Sequence, residues 1–331
     1  MHNVDFDALF KSIGDIKVGV IGDVMLDTYW WGKVDRISPE APVPIVAVSK
    51  KEERIGGAGN VALNLKALQA SVHAISVIGD DQDGQVLTDL LINNDINSDY
   101  IIKSKERITT NKIRIISRNQ QMMRLDAEIT KVLSEEDEFR LLMAFQNYIE
   151  SEKPHVVILE DYNKGVLTQS VINKVISLCK SNNIITAVDP KRKNFFEYKE
   201  VDLFKPNLGE VRDALNIISE SSDIKHLNEI HRQLFQQLSH KVSLITLSEK
   251  GVFYQGENEG NIIPTHIRTI ADVSGAGDTV IAVAALVYAA SKNISLMAEM
   301  ANIAGGLVCE EVGTAAINKE RLLSECKTLL K

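Results

Sequence analysis

Short apolar runs alternate with segments of helical spacing along most of this chain, and this alternation limits the folds open to it. The apolar runs predict strands at Val18–Ile21, Val72–Ile78, Val156–Leu159, Ile184–Val188 and Val242–Leu247. The segments between them predict helices at Asn60–Leu68, Val86–Ile92, Glu135–Ile149, Ser170–Cys179 and Leu227–Leu238. Strands that are apolar at nearly every position suit a parallel sheet covered on both faces. The alternating order therefore predicts the α/β class, with a doubly wound, mostly parallel sheet and helices on both faces.

Two segments, at about 32–48 and 109–125, interrupt the alternation. The first contains three prolines and ends in the strand-like run Ile45–Val48. The second carries the strand Lys112–Ile116 and the polar turn Ser117–Gln121. Neither has helical spacing, so together they predict a small β-sheet that projects from the core. A lid over a ligand site is the functional interpretation, and a plain surface hairpin is the alternative.

The bulk properties limit the partners of the chain. Its 331 residues suit one large α/β domain with an appendage, or two domains. A net charge of −8 argues against nucleic acid, so an anionic substrate needs a local basic pocket. The N-terminus is unlike a signal peptide, and the apolar run Val280–Ala290 is too short to span a bilayer. We expect a cytoplasmic protein that binds neither nucleic acid nor membrane.

A glycine-rich turn, Asp272–Thr279, opens an apolar helix over Val280–Ala290. A helix start offers unpaired N–H groups and the positive end of its dipole to an anion, and glycine allows a close approach. Asp278 beside that anion could accept a proton from a hydroxyl that attacks a phosphoryl group. The pattern predicts a kinase without a Walker loop. The alternative is a tight packing turn in which Asp278 only favours the helix dipole.

A second glycine cluster, Gly56–Asn60, precedes another helix. Its residues Gly57–Ala62 fit the loose dinucleotide pattern G-x-G-x-x-A, which is specific only when a strand runs straight into the glycines. The polar residues Ser49–Arg54 separate the nearest strand from them, so we discount a nicotinamide site without excluding it. The competing interpretation is a tight turn that presents Asn60 to a polyhydroxylated ligand.

Polar residues follow several predicted strands, where ligands of doubly wound sheets bind. Asp27, after the first strand, could accept hydrogen bonds from sugar hydroxyls, and helix capping is its alternative. Asp161 and Lys164 follow the strand Val156–Leu159, and Lys164 is either a phosphate ligand or an exposed lysine. Asn207 and Glu210 suit a network of Mg²⁺, water and phosphate, or else a helix cap. The absence of Walker and H-E-x-x-H motifs argues against a P-loop or a zinc site.

With these residues in view, the chain resembles the ribokinase-like (PfkB) carbohydrate kinases. The motifs that carry the resemblance are Asp272–Thr279, Gly56–Gly79, Asn207–Glu210 and, less closely, the nucleotide loop Thr246–Gly251. Longer strings are similar to the kinase part of bacterial ADP-heptose synthesis: Gly22–Asp27, Arg36–Pro44, Ser117–Gln121 and Asp161–Gly165. The resemblance implies one ribokinase-like domain over residues 1–331, with the lid segments described above.

The activity implied by this resemblance is ATP-dependent phosphorylation of D-glycero-β-D-manno-heptose 7-phosphate at its anomeric oxygen. The product would be the 1,7-bisphosphate, a precursor for ADP-heptose and the lipopolysaccharide core. A kinase of ribose, fructose or a fructose phosphate is the nearest alternative, and a dinucleotide-binding oxidoreductase is a more distant one. The family also implies Mg²⁺ and a homodimer formed through the lid. Because the sequence has no H-x-G-H motif, we expect no nucleotidyltransferase domain and a separate enzyme for the next step.

The resemblance also implies a role for each site residue. Asp278 would be the catalytic base, with an anion hole formed by Gly275, Ala276 and Gly277. The nucleotide side would be formed by Asn207, Glu210, Ser248, Gly251 and Asn302, with Glu210 reaching Mg²⁺ through water. The sugar would be held by Asp27, Gly57, Asn60 and Asp161. Its phosphate would meet Lys164 and Arg118, with Lys112 or Arg114 as substitutes.

Overall fold

The structure is a computed structural model that describes residues 4–118, 120–258 and 260–330. Within these residues the strands are β1 Lys17–Gly22, β2 Val24–Ile37, β3 Pro44–Gly57, β4 Ser71–Gly79, β5 Asn97–Ser104, β6 Asn111–Ser117, β7 Gln120–Ala127, β8 Val156–Glu160, β9 Ile185–Asp189, β10 Leu203–Phe204, β11 Val242–Thr246, β12 Val252–Gln255 and β13 Asn261–Ile263. The helices are α1 Phe6–Gly14, α2 Ala58–Ala67, α3 Gln82–Asn93, α4 Glu135–Glu152, α5 Gln169–Ser181, α6 Leu208–Leu215, α7 Ile224–Leu238, α8 Ala276–Ser291, α9 Ile294–Val308 and α10 Lys319–Leu329. Short 3-10 helices follow β9 and β11, at Arg192–Asn194 and Ser248–Lys250.

The larger sheet confirms the predicted fold class. Its strand order is β13-β12-β11-β10-β9-β8-β1-β4-β5, and the strands from β11 to β5 pair in parallel, whereas β12 and β13 are antiparallel. Alternate residues of β8 enter different cores: Val156 and Ile158 pack with α1, α2 and α8, while Val157 and Leu159 pack with α4, α5 and α7. Burial on both faces explains why these strands are apolar at nearly every position.

The predicted strands and helices agree with the structure to within a few residues. The strand predictions correspond to β1, β4, β8, β9 and β11, and the helix predictions to α2, α3, α4, α5 and α7. No helix within the described ranges is long and apolar enough to cross a membrane.

The predicted small sheet forms, but its strands are longer than the sequence suggested. Its order is β3-β2-β6-β7, with β2 antiparallel to β3 and parallel to β6. Pro44 is the first residue of β3, at the sheet edge, where its missing N–H is tolerated. Asn119, in the predicted turn after β6, lies outside the described residues. We call these four strands the small sheet.

Two sequence interpretations of this region are wrong. The polar residues Ser49–Arg54 do not separate a strand from the glycines, because they lie inside β3, which runs directly into Gly57. An edge strand with solvent on its faces needs few apolar residues, so the polar residues of this segment do not mark the end of the strand. The dinucleotide pattern still lacks its structural setting, since β3 belongs to the small sheet and forms no parallel βαβ unit with β4. Asp27 lies within β2 and therefore caps no helix.

Candidate active site

The candidate site lies where the carboxyl ends of the central strands meet the start of α8. Glu160 is the last residue of β8 and Asp189 the last of β9, and the two are paired neighbours in the sheet. Asp278 lies in the first turn of α8. One carboxylate oxygen from each of these three residues lies within 4.8 Å of the other two. Three chain segments thus bring their acidic groups to one buried point.

Asp278 is held in place by two hydrogen bonds. The Asn60 side-chain amide donates to Oδ2 and the Tyr162 hydroxyl donates to Oδ1, both at 2.7 Å. Burial raises the pKa of Asp278 to about 6, and the two hydrogen bonds oppose that rise. A carboxylate has about four lone-pair sites, so a third donor can still approach it. Its pKa and its open lone pairs suit a general base near neutral pH.

The start of α8 is open to an anion. Gly275 adopts φ +79°, and in the part of the chain that the structure describes no side chain caps this helix. A Cβ on Gly275 would also lie 2.8 Å from the Asn60 amide nitrogen, so glycine is required for both reasons. The Gly277 backbone N–H lies in the first turn, where the helix supplies no carbonyl partner, while the Ala276 N–H donates to the Val273 carbonyl oxygen at 3.3 Å. This arrangement can bind a phosphoryl group.

Two lysines balance the charge of Asp189. Lys205, which follows β10 and is almost fully buried, lies 2.8 Å from one carboxylate oxygen, and Lys191 lies 3.4 Å from the other. Although burial alone would raise the pKa of Asp189, the two ammonium groups outweigh it and the pKa is lowered. Asp189 is therefore ionised and already paired within the protein.

Glu160 is in the opposite situation. It is fully buried, and neither of its carboxylate oxygens has a hydrogen-bond partner among the described residues. Burial raises its pKa well above the usual range, and the nearby Asp189 and Asp278 add to that rise. Glu160 is thus a buried acid whose charged form is strongly disfavoured.

Asn207 and Glu210 form the capping box that was the alternative interpretation of their spacing. The Asn207 side chain accepts from the Glu210 N–H, and one Glu210 oxygen accepts from the Asn207 N–H, each at 2.8 Å. The other Glu210 oxygen pairs with Lys191 at 2.7 Å. Both carboxylate oxygens are therefore engaged, a state that suits Mg²⁺ held through water better than a direct ligand. The donor set fits the water-mediated role expected of Glu210.

The other residues predicted for the nucleotide lie at the edges of this region. Ser248 is exposed in the 3-10 turn after β11. Gly251 has φ +98°, and a Cβ there would lie 2.0 Å from the Ile263 carbonyl oxygen, so its backbone geometry alone requires glycine. Asn302, on α9, donates to the Pro264 carbonyl at 2.9 Å and holds the segment that follows β13.

The residues predicted for the sugar lie where the small sheet meets α2. Asp27 is buried in β2 and pairs with Arg114 of β6 at 2.5 Å. Gly57 has φ +58°, and a Cβ there would lie 2.4 Å from the Asp23 carbonyl oxygen. The side-chain amide nitrogen of Asn60 donates to Asp278, while its buried Oδ1 has no partner among the described residues. Of these three residues, Asn60 is the one whose hydrogen bond reaches Asp278.

Asp161 holds the loop after β8 together. Its carboxylate accepts from the Tyr198 hydroxyl and the Asn163 N–H, both at 2.7 Å, and only 1% of the residue is exposed. Asp23 anchors the same loop by accepting from the N–H groups of Tyr162, Lys164 and Val166. Burial raises the pKa of Asp161 to about 6. Its contacts all serve the loop that carries Tyr162 and Lys164.

Lys164 and Lys112 form a basic pair beside that loop. Lys164 contacts Glu128 at 2.8 Å, and the Lys112 ammonium lies 5.5 Å from the centre of the Tyr162 ring. Burial lowers the pKa of Lys112, and the charge of Lys164 lowers it further. Two mutually repelling ammonium groups near the base are a physical reason for an anion to bind there.

Arg118 is not brought to this place. It lies exposed with φ +49° in the turn between β6 and β7, beyond the residue paired with Gly32. Six residues of extended strand separate it from Lys112, a distance of about 20 Å. Within one chain, therefore, Arg118 does not adjoin Lys164.

Sequence reasoning missed several residues of the site: Asp23, Glu160, Tyr162, Asp189, Lys191 and Lys205. Glu160 and Asp189 end strands that the sequence predicts, so the strand-end argument used for Asp27 could have found them. Lys205 was hidden because β10 has only two residues and gives no readable pattern. The contact of Tyr162 with Asp278 joins residues that are 116 positions apart and has no local signal.

Comparison with known proteins places this chain in a family. The model of the pfkB family carbohydrate kinases matches residues 15–321. Among curated relatives, the bifunctional protein HldE of Sulfurimonas denitrificans is 40% identical over 302 residues, which cover 91% of this chain and 62% of the relative. The bifunctional protein HldE of Geobacter sulfurreducens is 36% identical over 327 residues, covering 98% and 65%. The chain thus spans under two thirds of the length of these relatives.

Solved structures agree on the fold. Phosphofructokinase-2 from Escherichia coli in complex with potassium superimposes with a TM-score of 0.80 at 17% identity, over 96% of this chain and 100% of that one. Ribokinase from Arabidopsis thaliana, complexed with ribose and ATP, gives 0.73 at 16% identity, over 93% and 99%. With the family match across almost the whole chain, these findings show that the protein is a sugar kinase, a phosphotransferase with an alcohol acceptor. The chain belongs to the pfkB family of carbohydrate kinases.

Proposed function

We propose that this kinase phosphorylates D-glycero-β-D-manno-heptose 7-phosphate at O1 and uses ATP as the donor, giving the 1,7-bisphosphate. The observation that carries the chemistry is the Asp278 carboxylate in the open first turn of α8. A base and an anion site separated by a few backbone atoms are what phosphoryl transfer to a hydroxyl requires.

In the proposed reaction the O1–H bond breaks and its proton passes to Asp278. The O1 oxygen forms a bond to the terminal phosphorus of ATP as the bond from that phosphorus to the ADP oxygen breaks. The N–H groups of Gly275, Ala276 and Gly277 bind the migrating phosphoryl group at the helix start. Positioning and charge stabilisation supply most of the rate enhancement in such reactions.

Glu210 with Asn207 is the pair proposed to hold the water ligands of Mg²⁺, which would supply positive charge against the phosphates of the nucleotide. Lys191 links Glu210 to Asp189, so the proposed nucleotide side and the buried carboxylates form one connected charge network. Ser248, Gly251 and Asn302 remain the proposed boundary of the nucleotide pocket.

The proposed phosphate subsite is the pair Lys112 and Lys164. Lys164 belongs to the loop that carries Tyr162, and the small sheet brings Lys112 to 5.5 Å from the centre of that ring. Asp27, Gly57 and Asn60 would contact the sugar between the phosphate subsite and Asp278. The distance along the small sheet leaves Arg118 outside the pocket of its own chain.

The choice of a heptose rests on resemblance. The strings Gly22–Asp27, Arg36–Pro44 and Asp161–Gly165 resemble the kinase part of bacterial ADP-heptose synthesis, and the relatives named above are bifunctional HldE proteins. We propose that the reaction takes place in the cytoplasm and that a nucleotidyltransferase activity consumes the product for lipopolysaccharide core synthesis.

We also propose that two copies associate through the small sheet. Its edge strand β7 is exposed along its whole length, and Met122, Met123 and Leu125 are 45%, 55% and 41% exposed. An exposed apolar strand edge favours pairing with another chain.

The decisive experiment incubates the purified protein with ATP–Mg²⁺ and a panel of heptose and hexose phosphates, and reads product masses. We expect one added phosphate on the heptose 7-phosphate, and none in the Asp278→Asn control on the same time scale. Phosphorylation of ribose, fructose or a fructose phosphate instead would replace the heptose assignment. Lys164→Ala should raise KM for the phosphorylated sugar and leave nucleotide binding unchanged; an unchanged KM would remove Lys164 from the phosphate subsite.

A further inference from the structure

Tyr162 makes the contact with Asp278 that neither the family motifs nor the proposed substrate contacts explain. Its hydroxyl donates to Asp278 Oδ1 at 2.7 Å, on the oxygen that Asn60 does not use. The loop that carries Tyr162 is fixed from below, because Asp23 accepts from the Tyr162 N–H at 2.8 Å. The backbone that carries the ring is therefore held in place.

The ring of Tyr162 lies between two cations. The Lys112 ammonium, from the small sheet, is 5.5 Å from its centre, and the Lys191 ammonium, after β9, is 5.6 Å away. Cations near a ring face are attracted to it. Burial meanwhile raises the pKa of Tyr162 well above its ordinary value, so the hydroxyl keeps its proton and can only donate to Asp278.

We propose that Tyr162 is a positioning residue for the base: its hydroxyl stays bonded to Asp278 throughout turnover and keeps that carboxylate ionised and oriented. This inference rests on Asp278 being the base. A donor bonded to a carboxylate stabilises the charged form, which burial opposes. Other groups that act on Asp278 are Asn60, Asp189, Lys205 and Glu160, and the Tyr162→Phe change removes none of them.

The test compares pH profiles of kcat for the wild type, Tyr162→Phe and Tyr198→Phe, with ATP–Mg²⁺ and the sugar phosphate that the panel identifies. Tyr198 is a matched control, because it is a buried tyrosine that donates at 2.7 Å to Asp161 rather than to the base. A hydrogen bond to a charged group is strong enough that its loss in Tyr162→Phe should move the acidic limb of the kcat profile upward by about one pH unit. We expect roughly tenfold lower kcat below the limb and recovery to within about threefold on the alkaline plateau. In Tyr198→Phe the limb should stay where it is.

Two results would overturn the proposal. If Tyr162→Phe lowers kcat by the same factor at every pH, its role is structural. If it lowers KM for the sugar and leaves the limb in place, Tyr162 occupies the position of the attacking hydroxyl and is displaced by substrate. Incorporation of 3-fluorotyrosine at position 162 keeps the shape and strengthens the donor, so the acidic limb should move downward even if the phenylalanine variant folds poorly. The base assignment itself is tested separately by Asp278→Asn, and failure of the heptose assignment leaves the pH test intact on another sugar.

Discussion

Replacing Asp278 with asparagine should remove activity and at the same time stabilise the fold. Asparagine has nearly the same shape but cannot accept the proton, and the loss of a general base costs roughly 10²–10⁴-fold in kcat, or about 3–5 kcal/mol of transition-state stabilisation. The hydrogen bonds can survive the change. Asn60 Oδ1 has no partner among the described residues, so a flip of the Asn60 amide can accept from the new side-chain NH₂, while the Tyr162 hydroxyl still donates to the remaining oxygen.

The stability gain follows from the pKa of the buried carboxyl group. Burial raises the pKa of Asp278 from 3.8 to about 6, a difference that corresponds to about 3 kcal/mol. For an acid whose pKa is higher in the folded state, the native protein binds the proton more tightly, and stability falls as pH rises from about 4 to about 6. The asparagine variant escapes this loss. Above pH 7 its free energy of unfolding should exceed that of the wild type by about 3 kcal/mol. For a chain of 331 residues this corresponds to a Tm about 4 °C higher.

The assay pairs two measurements on the same preparations. Coupled ADP release gives kcat, and thermal melting at pH 4.5 and pH 8 gives the stability difference, which should be small at the lower pH and full at the higher one. Turnover within tenfold of the wild type would show that Asp278 is not the base. A stability difference that is the same at both pH values would show that the carboxyl group is not strained by burial.

Three further predictions concern the buried charges and the small sheet. Lys205→Met leaves Asp189 with only the longer Lys191 contact. The free energy of unfolding in denaturant should fall by about 3 kcal/mol, the lower end for breaking a buried ion pair. An effect no larger than that of the exposed Lys193→Met would contradict the pairing. Glu160→Gln removes an acid whose pKa burial raises, so its Tm should exceed that of the wild type at pH 8 and approach it toward pH 4, and a pH-independent difference would refute this reasoning. Met123→Lys should convert a dimer into monomers by sedimentation, whereas Ile218→Lys, a change at an exposed apolar residue outside the small sheet, should not; equal masses for both variants would argue against the proposed interface.

Much of the fold was predictable because its signals are local. The central strands are buried on both faces, so they are apolar at nearly every position, and the helices between them show their spacing within a few turns. The start of α8 was equally visible, since a glycine with positive φ and the following apolar helix lie within a short stretch of chain. Short strands such as β10 and β13 carry too few residues for a pattern.

The small sheet shows where local signals mislead. β3 is half polar, and its sequence predicts a strand followed by a loop, although the strand continues to Gly57. Its stability comes from pairing with β2 across its length, a long-range property that composition does not report. The boundary of a strand at a sheet edge depends on its neighbour more than on its own residues.

The surroundings of Asp278 depend on strand order, and this is why the sequence predicts Asp278 as a site residue but not most of the residues around it. Glu160 and Asp189 meet because β8 and β9 are neighbours, and Asn60 reaches Asp278 because α2 packs beside α8. A periodic pattern predicts that β8 and β9 exist but leaves their order in the sheet open, so it cannot pair their last residues. The same arrangement explains why the site destabilises the fold. The sheet brings two strand ends and the start of α8 to one point, where three carboxyl groups are buried together, and burial is what raises the pKa of Asp278 toward neutrality, where a general base is most effective. The destabilisation expected from Asp278 and Glu160 is therefore a direct consequence of the geometry that makes the base useful.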